Sequence, residues 1–226
     1  VIGAVKVFMD QDSASTNAKM AYMSRDGVSP VFADITKKAI ELGDALPGTT
    51  ADFLGVSRVL KEQGLSDSII KNGALESASK LNVLLGTSHE FGAEFVAKLV
   101  EARGLADSEL GEAADIVQRA RFAFGMKPEA MMGTMKYDAA MMSAYGIRGK
   151  ENLTKNFALQ GILATNGIEA EQAGNVLKNI LLRTGKGVDG VMAASKGNKA
   201  LARQQIEQSG VRFEFFDAKG NFKGLR

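Results

Sequence analysis

The sequence predicts a mainly α protein: a multi-helix bundle of about nine short antiparallel helices with a small C-terminal β-hairpin. Apolar residues recur at helical spacing along most of the chain. Glycine followed by an apolar residue recurs at Gly64-Leu65, Gly104-Leu105, Gly146-Ile147, Gly167-Ile168 and Gly210-Val211, with further stops at Gly86, Gly125 and Gly185. From Gly64 to Gly185 these stops are 22, 18, 21, 21, 21 and 18 residues apart, room each time for one helix and a short link. A glycine just past a helix end adopts the left-handed conformation without a Cβ clash, and the apolar residue after it packs back on the last turn.

In chain order, the spacing predicts helices near 31–45, 50–63, 66–84, 88–103, 108–124, 128–145, 151–165, 169–184 and 197–209. Helix starts are marked by Ser66 and Ser108 as N-caps, by a Thr87-x-x-Glu90 capping box and by Pro128 in a first turn. Links of a few residues favour antiparallel neighbours. The residues between stops do not themselves recur, so a bundle is expected rather than a solenoid. The end of the chain, VRFEFFDAKGNFKGLR, alternates Val211, Phe213 and Phe215 with Arg212 and Glu214, then turns at Asp217 to Gly220. That pattern predicts a hairpin over 211–226, packed on the helices or leading into further chain. The expected division is an N-terminal segment of uncertain structure over 1–27, a helical domain over 28–210 and this hairpin.

Bulk composition narrows the function classes. The 226 residues are 45% hydrophobic and 24% charged, with a net charge of +2. These are the values of a globular protein, and they give no electrostatic case for a dedicated nucleic-acid site. Residues 178 to 226 hold ten Lys/Arg against four Asp/Glu, read here as a solvated basic face. No cysteine is present, which excludes disulfides and thiolate metal sites and fits a reducing compartment. No run approaches the ~20 apolar residues of a membrane span. The opening VIGAVKVFMD has neither an initiator Met nor a basic leader, and reads as a piece of a longer polypeptide.

Catalytic, cofactor and metal motifs are not found. His89 is the one histidine and is expected as a surface residue in a helix's first turn. Gly185-Lys186-Gly187 fails as a phosphate loop, because Ile180 and Gly187 stand where glycine and Ser/Thr are required. Six of the ten methionines fall between Met126 and Met142. On a helix, Met131, Met135 and Met142 share a face that Met132 and Met141 widen. Such a face is either buried core or a pliable docking surface for a partner helix.

The stretch NGIEAEQAGNVLKNILLR, residues 166–183, poses the sharper question of why a helix carries a glycine in its second turn. Ala173, Leu177, Ile180 and Leu181 form its apolar stripe. Gly174 costs about 1 kcal/mol relative to alanine, a cost offset if it lets another helix approach closely. The preceding helix, with Gly161 and Ala164, is the expected neighbour.

FALQGILATNGIEAEQAGNVLKNILLRTG (157–185) resembles the signature of bacteriophage tail tape measure proteins: an apolar helix, the turn Gly167-Ile168, the pair Ala173-Gly174, then Leu177 and Leu181. SGVRFEFFDAKGNFKGLR (209–226) resembles a following segment of the same family through Asp217, Gly220 and Asn221, although Gly224 stands where proline is common. AIELGDALPGTTADFLGVSRVLKEQGLSDSII (39–70) is similar to the family's upstream helix pair. The resemblance implies a structural and assembly domain of a long protein that sets tail length. It implies tail tube and tail tip proteins and assembly chaperones as partners, self-association as a further option, assembly in the bacterial host cytoplasm, and residence in the phage tail. It carries no catalytic, cofactor or metal residues to this chain. A generic helical adaptor, an enzyme and a membrane-active domain are the alternatives.

Overall fold

The structure is a computed structural model and describes residues 2–185. The helix expected near 197–209 and the hairpin expected over 211–226, with Asp217, Gly220 and Asn221, lie outside the described residues. The chain divides between Ala123 and Phe124 into two compact units, a boundary the sequence reading did not mark.

The first unit begins with two elements that the sequence reading did not find. Helix α1 (Ile2–Ala21) leads into a hairpin of β1 (Met23–Ser24) and β2 (Gly27–Val28), paired antiparallel with Met23 opposite Val28. Among the described residues, therefore, the hairpin is near the N-terminus. Its turn is Arg25-Asp26, closed where the Asp26 N–H donates to Ser24 Oγ at 3.3 Å and Ser24 Oγ donates to Gly27 O at 3.1 Å. Gly27 has φ +102°, which a side chain would resist.

Helices α2 (Val31–Ala45), α3 (Thr50–Glu62), α5 (Leu75–Leu85), α6 (His89–Arg103) and α7 (Leu110–Phe124) fall where apolar periodicity placed them. Two of the expected helix starts are altered, and one expected helix is broken inside. Ser88, not Thr87, is the N-cap of α6, accepting from the Phe91 N–H at 3.2 Å. Ser108 lies inside a 3-10 turn, Asp107–Glu109, ahead of α7. The helix expected over 66–84 is interrupted: a single turn α4 (Asp67–Ile69), capped by Ser66, runs into a π-helical segment Ile70–Ala74 before α5. The cause is a close approach at Gly73, where a Cβ would stand 2.8 Å from Asp107 O. Asn72 Nδ2 donates to Asp107 Oδ2 at 3.0 Å and fixes the same contact. A full capping box, not anticipated, starts α3: Thr49 and Asp52 each bond the other's backbone N–H.

Helix α3 is the centre of this unit, packing against α1, α2, α5 and α6. It buries Phe53, Leu54, Val56, Val59 and Leu60, and the buried Tyr22 donates its hydroxyl to Ser57 O at 3.1 Å. Contacts between elements so far apart in sequence are those of a bundle; a solenoid would pair only successive repeats. The hairpin is tied down as well. Ser29 Oγ donates to Asp67 Oδ2 at 2.5 Å, and Lys61 Nζ meets Asp67 Oδ1 at 2.5 Å. Partial burial raises the Asp67 carboxyl, but the bonds from Lys61 and Ser29 prevail and hold it below its ordinary range.

The second unit contains α8 (Pro128–Ala144), α9 (Gly149–Thr165) and α10 (Ala170–Gly185) among its described residues. Pro128 takes the first helical position, as expected. The links α8–α9 and α9–α10 repeat one stop. Ile147 N–H bonds Met142 O at 2.9 Å and Gly146 N–H bonds Ser143 O at 3.0 Å; Ile168 and Gly167 make the equivalent bonds to Leu163 O and Ala164 O. Both glycines have positive φ. The Gly-apolar punctuation read from the sequence is thus a hydrogen-bonded motif that spends the last free carbonyls of each helix.

Two outcomes test this account. Leu54→Ala, at a side chain with 1% exposure, is expected to cost about 2–5 kcal/mol in urea unfolding. Glu76 is held down to about 2 by hydrogen bonds from Lys38 and Lys80, with N–O distances of 2.8 and 2.5 Å. A carboxyl lowered on folding contributes stability above its ordinary value of 4.5, and that contribution is lost as pH falls toward about 2. Glu76→Gln is therefore expected to lower the urea midpoint slightly at pH 7, by less than about 1 kcal/mol because the pair is solvated. It is also expected to flatten the midpoint's fall between pH 5 and 2.

Candidate functional site

The segment that the sequence reading singled out, 157–185, forms the end of α9, the Gly167-Ile168 turn and α10. Its partner is α8, against which α10 packs most extensively. A Cβ on Gly174 would lie 2.6 Å from Tyr137 Cβ and 2.7 Å from Thr134 O. The glycine is thus a point of backbone approach, as expected, but to α8 and not to the preceding helix. Gly161 of α9 serves a different contact: the Phe124 ring lies over its Cα, with ring atoms 2.2–2.5 Å from any added Cβ. A sequence stripe shows which face of a helix is buried; it does not name the helix that covers it.

The α8–α10 seam is built from small residues on both sides. A Cβ on Gly133 would meet Ala170 Cβ at 3.4 Å. Thr134 Oγ1, buried in the seam, lies 2.9 Å from Ala170 O and 3.0 Å from Ala130 O, one donor shared between two carbonyls. Ala170 has φ +51°, alone among the described non-glycine residues in being positive. Such a conformation costs an alanine roughly 1 kcal/mol; the bond from Thr134 and the helix contact hold it. Ala173, Leu177 and Leu181 are buried as the stripe required, but Ile180 is exposed.

The methionine face lies in this same unit. Met131, Met132, Met135 and Met142 are buried, and Met141 packs partly buried against the cluster of Met142, Ile147 and Leu181. Four of the five methionines of this face are therefore core, and Met141 keeps part of its surface. Among them runs a buried polar chain that the sequence reading missed. Asn156 Nδ2 donates to Asp138 Oδ2 at 2.8 Å, and Gln160 Nε2 donates to Asn156 Oδ1 at 2.6 Å. Asn156 and Gln160, four apart on α9, share its buried face with Leu153 and Phe157. That i, i+4 spacing was the available signal.

Elsewhere, His89 is half-buried, not on the surface as expected. Its ring stands edge-on to Phe53 at 5.5 Å, with Asn82 Nδ2 3.3 Å from Nδ1. Packing of α6 on α3 draws it inward. An open cleft of about 620 Å³ lies between α1 and α3, lined by Asn17, Met20, Ala21, Arg58, Lys61 and Glu62. Its cations already have acidic partners, Arg58 with Glu62 and Lys61 with Asp67, each at 2.5 Å. Among the described residues no three His, Cys, Asp or Glu side chains converge to hold a metal ion, and no helix is long and apolar enough to cross a membrane. What the geometry concentrates at the signature segment is helix packing.

Residues 36–226 match the family of phage-related minor tail proteins, and the chain belongs to that family. It is also similar to the tape measure protein of Pneumococcus phage Dp-1, 29% identical over 153 residues, which are 68% of this chain and 12% of that relative. No solved structure matches the chain.

Gly174→Ala tests the seam. Helix propensity alone would favour alanine by about 1 kcal/mol. The contacts at 2.6 and 2.7 Å are with a Cβ and a backbone carbonyl, neither of which can swing away. The expected outcome is a net loss of roughly 1–3 kcal/mol in urea unfolding of the second unit.

Proposed function

We propose that this chain is a folded structural and assembly domain of a phage tail tape measure protein, a protein that sets tail length and organises the tail tube. The carrying observation is the family match over residues 36–226, which spans the signature segment. The similarity to the Dp-1 tape measure protein, of which this chain spans 12%, supports the same reading. So does the use to which the signature residues are put. Gly167, Ile168, Ala173, Gly174, Leu177 and Leu181 serve a turn and a helix seam, not a reaction. The domain acts through its folded surfaces, and no catalytic role is assigned to it. Its partners in this reading are tail tube and tail tip proteins and assembly chaperones, within the host cytoplasm during assembly and in the virion tail afterwards.

A ruler made of α-helix gains 1.5 Å per residue. The helices here fold back on one another within each unit, so this domain is not the ruler itself but a compact section of the protein that carries it. The test is tail length by electron microscopy. An in-frame deletion of about 100 residues outside this domain is expected to shorten tails by roughly 150 Å. Gly174→Leu within the domain is expected to lower the yield of tails without changing the length of those that form. Unchanged tails after the outside deletion would overturn the reading and favour a helical adaptor. Tails shortened by Gly174→Leu would overturn the assignment of this domain as a section separate from the ruler.

A further inference from the structure

Helices α8, α9 and α10 meet around a cavity of about 10 Å³, whose lining includes Met126, Ala130, Thr134, Gln160, Ala164 and Ala173. That is room for about one water molecule. Most of the lining is apolar, and Gln160 stands out against it. Its side chain is 2% exposed. Its Nε2 donates to Asn156 Oδ1 at 2.6 Å, while no donor among the described residues reaches its Oε1. This orientation is imposed from outside the cavity. Asn156 Nδ2 donates to Asp138 Oδ2 at 2.8 Å, and a carboxylate only accepts. Asn156 therefore turns its Oδ1 toward Gln160, which must answer with Nε2. The Gln160 amide cannot flip without breaking that chain, so Oε1 is committed as a buried acceptor. Without a donor it would carry its full desolvation penalty. Thr134 brings a second polar group to the same space. Its hydroxyl hydrogen is shared between Ala170 O and Ala130 O, which leaves the oxygen lone pairs to accept.

We propose that this cavity is the binding site of one buried water, which donates one hydrogen to Gln160 Oε1 and the other to Thr134 Oγ1. The ligand is a donor because the lone acceptor requires one, and it is of water's size because the cavity has room for about one such molecule. Bound there, the water ties α9 to α8 beside the seam, where no direct bond joins Gln160 to Thr134. The site stands on the cavity and its hydrogen-bond chain and is independent of the tail reading.

Nuclear Overhauser spectroscopy on the whole 226-residue chain, with labelled alanine methyls, tests it. Contacts are expected between water and the methyls of Ala130, Ala164 and Ala173, with the sign of a molecule that tumbles with the protein. Gln160→Met keeps the side chain's length and removes the acceptor, and is expected to abolish these contacts. The Thr134 hydroxyl is untouched in that variant, so contacts relayed by its own exchange would persist, and their persistence would overturn the site. Ala164→Val fills the cavity and locates the ligand even if Gln160→Met fails to fold: contacts at Ala130 and Ala173 should be lost. Contacts that survive the filling place the water elsewhere and overturn the proposal. So does a native chain whose cavity methyls shift under xenon and show no contact with water, since the cavity is then dry.

Discussion

The first unit depends on one helix against which four others pack. Helix α3 has 13 residues and must be covered from four directions, by α1, α2, α5 and α6. No two of those helices are brought to it by the same link. The demand sets the geometry around it: the loop before α3 closes over Phe53, where a Cβ on Gly48 would come within 3.0 Å of the ring. On another side Tyr22 reaches in to bond Ser57 O. The hydroxyl is buried with that bond, and burial raises its ionisation well above the ordinary tyrosine range. Tyr22 is therefore an uncharged peg at neutral pH. His89 is drawn half into the interior by the same demand, because α6 must lie close enough for Phe95 and Leu99 to be covered.

The second unit solves a different problem, with backbone approach in place of side-chain bulk. Where α8 and α10 cross, Gly133 and Gly174 remove the atoms that would hold the helices apart, and Thr134 bonds to a carbonyl across the gap. The seam is specific because only small residues fit it. Leu181 of α10 packs with Met142 of α8 in the same unit, and the Asp138–Asn156–Gln160 chain is buried there as well. Flexible side chains fill the irregular space beside the seam, while the polar chain fixes which face of α9 turns inward.

Legibility from sequence followed the same physical lines. The helices between residues 31 and 185 could be read because most of their ends carry a chemical mark: Gly64-Leu65, Gly146-Ile147, Gly167-Ile168, Ser66, Pro128. Helix α1 could not, since its apolar residues cluster in the first nine positions and then give way to DQDSASTN, with no stripe. The hairpin after it was marked only by Asp26-Gly27, too short a signal beside strands of two residues. The break at Ile70–Ala74 depends on Asp107, 34 residues beyond Gly73, and no local pattern contains it. Burial of the methionine face was equally beyond composition, because a pliable apolar face looks the same whether solvent or another helix meets it.

The family membership and the fold constrain each other in one respect. Drawn out as one helix, 226 residues would span ~340 Å. Folded as it is, the chain turns that length into contacts: α3 against four helices, α10 against α8. A residue inserted into the ruler lengthens it, whereas a residue inserted into α3 or α10 rotates every later side chain in that helix by about 100° and breaks the packing. Within the proposed reading, selection on tail length therefore has no purchase on this region, and selection on packing has no purchase on the ruler.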